Sequence, residues 1–300
     1  MATDFTGITN FNEYFTNHYF SSYLSEDISK IITNLSSKEL EKTQWSKLRD
    51  LGKQYSQIHD KMQSSRNFQV ETIPELAASI LRLLDYPDPN GDSVSIEGES
   101  IPVYATINDS NNNLRLIVLL SVTSEENGLL DGQLFSTDIL GGKLYSKADC
   151  SSDIDSLFFK NSEPPRWCLV IGLDEIALID RKKWGERKYI SIDLETLFGR
   201  HEDSTLKAVC AFLHSSSLIG KDGSCALDEL LDNSRRNASG VSDDLKYALR
   251  ESIEILGNEV IYYQVHNCNR DVEEDPIDAE QLTLECLRYM YRMLFVLFIE

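Results

Sequence analysis

The sequence predicts an α/β (α+β) fold, a mixed sheet with flanking helices, and three observations lead there. Residues 164–198, PPRWCLVIGLDEIALIDRKKWGERKYISIDLETLF, read as three strands with defined turns. Candidate strands between residues 93 and 122 follow a long stretch of helical periodicity, and helix followed by several strands can begin a sheet backed by helices. After His201 the strand patterns fade and apolar residues recur every three to four positions. The predicted organisation is a helical N-terminal arm over residues 1–67, an α/β domain over 68–200 and a helical connector over 201–300. Three hundred residues suit one large domain or two ordinary ones, and a hydrophobic fraction of 41% is ample for a core.

In chain order, residues 11–65 place Phe11, Tyr14, Phe15, Tyr19, Phe20, Tyr23, Ile28, Ile31, Ile32 and Leu35 on apolar helix faces, with a restart at Ser37 near Leu40 and Glu41. Between Lys38 and Arg66 the seven basic and four acidic residues read as a charged, solvated helix face. Pro74 suits the first turn of a helix that carries Leu76, Ile80, Leu81 and Leu84. That helix stops at the turn residues 86–92, YPDPNGD. Strands are expected at Ser93–Ile96, Ile101–Ile107 and Leu114–Val122, the last two joined by the polar turn 108–113. Gln133–Tyr145 reads as a short helix and a glycine pair, and Asp149–Phe159 as helix or loop.

In the 164–198 stretch, the runs Trp167–Ile171 and Ile176–Ile179 flank Gly172-Leu173-Asp174-Glu175, a break of hairpin length. Tyr189–Ile192 alternates apolar and polar residues as a strand with one wet face does. Between them, residues 181–188 carry five basic side chains against one acid. Asp193 is positioned to cap a short helix ending at Phe198-Gly199. Further on, Leu206, Val209, Cys210 and Leu213 share a helix face. Leu227, Leu230 and Leu231 follow, and Ser242, Lys246, Leu249, Ile253, Leu256 and Val260 define a long amphipathic helix. Residues 271–280 form an acidic, exposed connection. Leu282–Glu300 is helical and apolar on nearly all sides from Met293, so it must be buried by a partner. The run is too short for a membrane span and implies a piece cut from a longer polypeptide, unless the helix packs wholly within this chain.

The formal charge of −20 argues against the whole surface embracing a nucleic-acid backbone, so any DNA contact must be local. The six cysteines are widely spaced, with no C-x-x-C pair; Cys168, Cys210 and Cys286 lie in apolar runs and read as buried thiols. That usage suits a reducing cytoplasm, and the N-terminus lacks a signal-peptide pattern.

Leu178-Ile179-Asp180-Arg181, the basic loop after it, and Ile192-Asp193-Leu194-Glu195-Thr196-Leu197-Phe198 resemble the late part of the nuclease-type domain of type II enzymes that fuse restriction and modification. Residues 240–247, 256–259 and 284–295 are similar to the helical connector preceding the adenine-DNA methyltransferase domain in restriction-modification or phage-defence methylases. The resemblance implies a restriction-endonuclease-like sheet and double-stranded DNA as partner. It also implies a methyltransferase domain beyond residue 300 that uses S-adenosylmethionine, with Mg²⁺ where the nuclease site is intact.

That nuclease fold needs a carboxylate on one strand and acid-x-lysine at the end of the next. The expected hairpin is 101–122, and its second strand offers Leu120-Ser121-Val122-Thr123. Asp109 lies in the connecting turn, and Glu125 and Glu126 lack a lysine at the required offset. Asp180-Arg181-Lys182 has the right form in a stretch that the family uses structurally. No metal site and no catalytic residue is therefore assigned. Phosphate loops, a nucleophile elbow and Asn-Pro-Pro-Tyr are absent, and His18, His59, His201, His214 and His266 stand alone. The assigned nucleic-acid contacts are Arg181, Lys182, Lys183, Trp184, Arg187 and Lys188, amines to phosphate and indole to sugar; Arg235-Arg236 is a weaker candidate. Two other classes stay open: an active Mg²⁺-dependent nuclease using Asp109 or Asp180, and a protein-interaction module, which the acidic charge favours.

Overall fold

The strands predicted around residue 170 form the middle of an eight-stranded, mostly antiparallel mixed sheet in the computed structural model. The structure describes residues 5–36, 43–59, 66–123, 128–137, 143–220, 225–269, 271 and 276–299. The expected helix restart at Ser37, Leu40 and Glu41, the glycine pair 141–142, Glu125, Glu126 and residues 272–275 of the acidic connection lie outside them.

Ten strands are present among the described residues: β1 (Ile8–Phe11), β2 (Asp92–Ile96), β3 (Glu99–Val103), β4 (Ala105–Asn108), β5 (Leu114–Val122), β6 (Gln133–Thr137), β7 (Lys143–Asp149), β8 (Trp167–Ile171), β9 (Glu175–Asp180) and β10 (Tyr189–Asp193). The sheet runs β1-β10-β9-β8-β5-β6-β7, with β4 also paired to β5, while β2 and β3 form a separate ribbon. One pairing is parallel: β5 to β8, from Leu116 opposite Trp167 to Leu120 opposite Ile171. The hairpin expected over 101–122 is present as β4–β5.

Near-continuous apolar runs, whose successive side chains point to opposite faces, explain why this sheet is buried on both faces. Leu116, Val118 and Leu120 of β5, Leu169 and Ile171 of β8, and Ile176 and Leu178 of β9 face one core. Helices α1 (Asn17–Ser22), α2 (Leu24–Ser36), α3 (Gln44–His59), α4 (Arg66–Leu83), α7 (Leu194–Arg200) and α8 (Asp203–Leu213) contribute to that core. Ile117, Leu119, Cys168, Val170, Ala177 and Ile179 face the other, covered by α5 (Cys150–Phe159), the β2–β3 ribbon and Trp184. The remaining helices are α6 (Arg181–Trp184), α9 (Ser215–Leu218), α10 (Ala226–His266) and α11 (Ala279–Ile299).

Four expectations need correction. The described residues of the 133–145 stretch are not helical: 133–137 form β6 and 143–145 begin β7, because Leu134 and Phe135 are buried where β6 pairs with β5. Ile101–Ile107 is not one strand. Tyr104 donates its backbone N–H to Val118 O and its hydroxyl to Pro74 O, and this bend sends β3 to the ribbon and β4 to the sheet. Pro74 lies in the interior of α4, because upstream Val70 and Ile73 are buried in the core and extend the helix back to Arg66; the absent proline N–H is tolerated for that burial. Residues 8–11 were not expected as a strand, yet β1 pairs with β10 and Phe11 stacks 4.4 Å from Tyr189. Asn10 closes the following turn by accepting from Phe15 N and donating to Phe15 O, with Asn12 and Glu13 in the left-handed region.

The chain divides once by its contacts, into an α/β unit of residues 1–234 and a helical unit of residues 235–300, rather than at 67 and 200. The arm helices share the core of the sheet, which is why no boundary falls at 67. All cysteines among the described residues are free, and Cys150, Cys168, Cys210, Cys225 and Cys286 are buried. No helix among the described residues is long and apolar enough to cross a membrane.

Candidate nucleic-acid interface

The basic segment begins where β9 ends. Asp180, the last residue of β9, is buried, and its Oδ1 accepts from Lys182 N at 2.7 Å, capping the single turn of α6. Its Oδ2 accepts from Arg166 Nη2 at 3.0 Å, and the same nitrogen donates to Asp228 Oδ1 at 2.9 Å. The Arg166 guanidinium also lies 4.5 Å over the Trp167 ring. Burial pushes the Asp180 carboxyl up, against the opposing pull of Arg166 and the Lys182 N–H. Asp180-Arg181-Lys182 is thus a helix cap joined to a buried ion pair that ties the first turn of α10 to the sheet.

Five of the six predicted contact residues have side-chain partners in the fold. Trp184 is 1% exposed and its indole N–H donates to Asp155 Oδ1 at 2.6 Å, so the expected packing on a sugar is corrected: the ring is part of the core. Lys183 donates to Tyr14 O and sits 4.7 Å over the Tyr14 ring. Arg181 donates to Pro164 O, and Lys188 pairs with Glu186. Arg187, at positive φ, lies 4.2 Å over Trp184 and pairs with Asp155 at 2.8 Å, yet remains exposed. Lys182 is exposed. The solvent-facing cations of this turn are therefore chiefly Lys182, whose backbone N–H is held by Asp180, and Arg187, whose guanidinium lies on the buried indole. Arg235 and Arg236 are also exposed, on α10.

The end of β5, where the nuclease fold needs its acid-x-lysine, is built without carboxylates. Ser121 is buried and donates to Leu129 O at 2.8 Å. Thr123 is clamped by Gln69, which accepts from Thr123 N at 3.0 Å and donates to Thr123 O at 2.9 Å. Sequence reasoning missed Gln69, which looks like one more polar residue of a helix. Asp109 is consumed by its own turn, accepting from Asn111 N and Asn113 N, both at 2.9 Å; these bonds hold its carboxyl below the usual range. No group of three or more His, Cys, Asp or Glu among the described residues is arranged to hold a metal ion. The residues where the resemblance puts Mg²⁺ do not fit that ion.

No protein-family model, curated protein or solved structure matches this chain.

The histidines have local roles. His201 ends α7 in the left-handed region, and His266 stacks on Tyr262 at 4.1 Å. His214 caps α9: its Nδ1 accepts from Ser216 N at 3.1 Å, so the ring proton belongs on Nε2, which faces the side chains of Gln44 and Asp85.

Proposed function

We propose that this chain is the DNA-engaging, non-catalytic part of a cytoplasmic restriction-modification or phage-defence methylase. In this reading the sheet is a nuclease-like scaffold that has lost its metal site. The observation that carries it is the end of β5, where Ser121 and Gln69-clamped Thr123 stand at the position that an acid-x-lysine would need. Lys182 and Arg187 supply the local phosphate contact that an acidic chain requires, and the stacking of Arg187 on Trp184 lowers the entropic cost of its part in binding. S-adenosylmethionine belongs to the methyltransferase domain that the resemblance places after this region.

Fluorescence anisotropy on a generic duplex, at low and moderate salt and with and without Mg²⁺, tests the reading. Salt-sensitive binding without cleavage is expected. Lys182→Glu with Arg187→Glu should weaken it by roughly 10-fold or more and flatten the salt dependence, because two phosphate contacts are reversed. Lys183 is a poor test position, since its loss would disturb Tyr14 as well. Mg²⁺-dependent cleavage would revive an active nuclease. Absence of binding at low salt would sink DNA contact by this chain and favour a protein-interaction module.

A further inference from the structure

We propose that the helical unit of residues 235–300 is a self-association surface, covered by the same unit of a second copy of this chain. Of the nineteen large apolar side chains exposed among the described residues, fourteen belong to this unit. They lie on both of its helices, among them Tyr247 at 72%, Ile255, Tyr262, Tyr291, Phe295 at 68% and Leu297. Fourteen side chains about half exposed leave on the order of 1,000 Å² of apolar surface, taking ~150–250 Å² for a whole aromatic side chain. The largest apolar patch on a typical monomer is about 300–600 Å², and a stable interface takes about 800 Å² from each partner. Summed over both helices, that apolar area is of the order a dimer interface takes.

Within the unit, the two helices leave a cleft of about 660 Å³ lined by Leu249, Ile253, Ile261, Leu282, Cys286 and Leu287. Gly257 is one of its walls, and a Cβ there would meet no atom within 4 Å. A mid-helix glycine is less favourable than alanine, so the space it leaves is obtained at the helix's expense. Such a cleft admits a row of large side chains from another helix.

Charge selects a second copy. Glu251 and Glu259 on α10 are exposed and form no ion pair among the described residues, and the same holds for Arg288 and Arg292 on α11. Each copy thus offers Glu251 and Glu259 on α10 and Arg288 and Arg292 on α11, the latter beside the acids Glu280 and Glu285 of the same helix. A two-fold axis satisfies both sets at once and closes the assembly as a four-helix bundle.

Sedimentation velocity of the whole chain from about 1 to 50 µM, the range in which a dimer's stability tracks protomer concentration, tests this. The expected species has twice the 34.1 kDa chain mass, with nothing larger. Phe295→Glu with Leu297→Glu should raise the dissociation constant by roughly 100-fold, as loss of central apolar anchors does. Both positions are exposed, so the unfolding midpoint of the α/β unit should not move. Arg288→Glu with Arg292→Glu should weaken the dimer by about 10-fold, and adding Glu251→Arg and Glu259→Arg to the same chain should restore it. A 34.1 kDa species throughout, open-ended aggregation, a dimer indifferent to the Phe295 and Leu297 changes, or failure of the charge rescue would each overturn the proposal.

Discussion

In the α/β unit, the apolar side chains of β5, β8 and β9 are buried on both sheet faces, whereas in the helical unit Cys286 is the one buried apolar residue among those described. Sequence hydrophobicity does not predict this difference. Met293–Ile299 is as apolar as Trp167–Ile171, and β8 is buried along its whole length while Phe295, Val296 and Leu297 are about two-thirds exposed. A sheet with helices on each face supplies three layers and hence two cores. Two helices supply one seam, and residues outside the seam stay exposed until another surface arrives.

The sharpest way to break the comparison is to delete one large side chain from each unit. All three tryptophans, Trp45, Trp167 and Trp184, lie in the α/β unit, so their fluorescence follows its unfolding alone. Trp184→Ala should cost about 3–5 kcal/mol, the usual penalty for emptying a core site of that size, and should also free Asp155 from the indole. Phe295→Ala should leave the tryptophan transition within about 0.5 kcal/mol of wild type, as for other exposed sites. An equal loss in both variants, measured by denaturant titration, would show the two units unfolding as one.

A smaller effect of opposite sign is expected from two glycines. A Cβ at Gly132 would meet Ser121 Oγ and, at 2.5 Å, Val122 O, so Gly132→Ala should destabilise by about 1–3 kcal/mol through overpacking. Gly257→Ala should stabilise the helical unit by up to about 1 kcal/mol, read by far-ultraviolet circular dichroism on heating. Stabilisation at Gly132 would mean that the turn after β5 is not packed as described.

The smallest effect is a pH dependence confined to the α/β unit. Asp153, in the first turn of α5, is buried and burial raises its carboxyl above the ordinary value. A raised folded value means that the folded state holds the proton more tightly than the unfolded chain. Stability contributed in acid is therefore lost as pH climbs from the unfolded value, about 3.9, through the folded one. Asp153→Asn escapes this loss. Its stability relative to wild type should increase over that interval, level off above it and vanish in acid. A difference that is flat across pH would show that Asp153 ionises as freely in the fold as outside it.

Much of the α/β unit was legible because its signals are local. Trp167–Ile171, Ile176–Ile179 and Tyr189–Ile192 are short β-branched runs punctuated by Gly172 and Asp174, and Asp193 caps α7 as its position suggests, accepting from Thr196 N at 2.7 Å. Local signals failed at β6, where pairing with β5 overrides a weak pattern, and at Pro74, where core contacts of Val70 and Ile73 extend the helix upstream. At the candidate interface the sequence supplied the cluster of cations but not their partners. Asp155, Tyr14 and Pro164 lie 20 or more positions from the residues they engage or across a strand, beyond the reach of any spacing rule.

By itself, the sequence determined the apolar runs that make β5, β8 and β9 strands, the acidic charge that confines phosphate contact to a small patch, and the absence of a carboxylate from 120–123. These follow from composition and from side-chain periods of two or three to four residues, which need no knowledge of distant neighbours. Only the tertiary structure decided that Trp184 is a core residue, that Asp180 belongs to Arg166 and a helix cap, that Gln69 closes the end of β5, and that Lys182 and Arg187 are the cations left facing solvent. Burial and pairing depend on which segments meet, and that is fixed by the packing of the whole chain, with loop-closure entropy costing only slightly more for distant partners than for near ones.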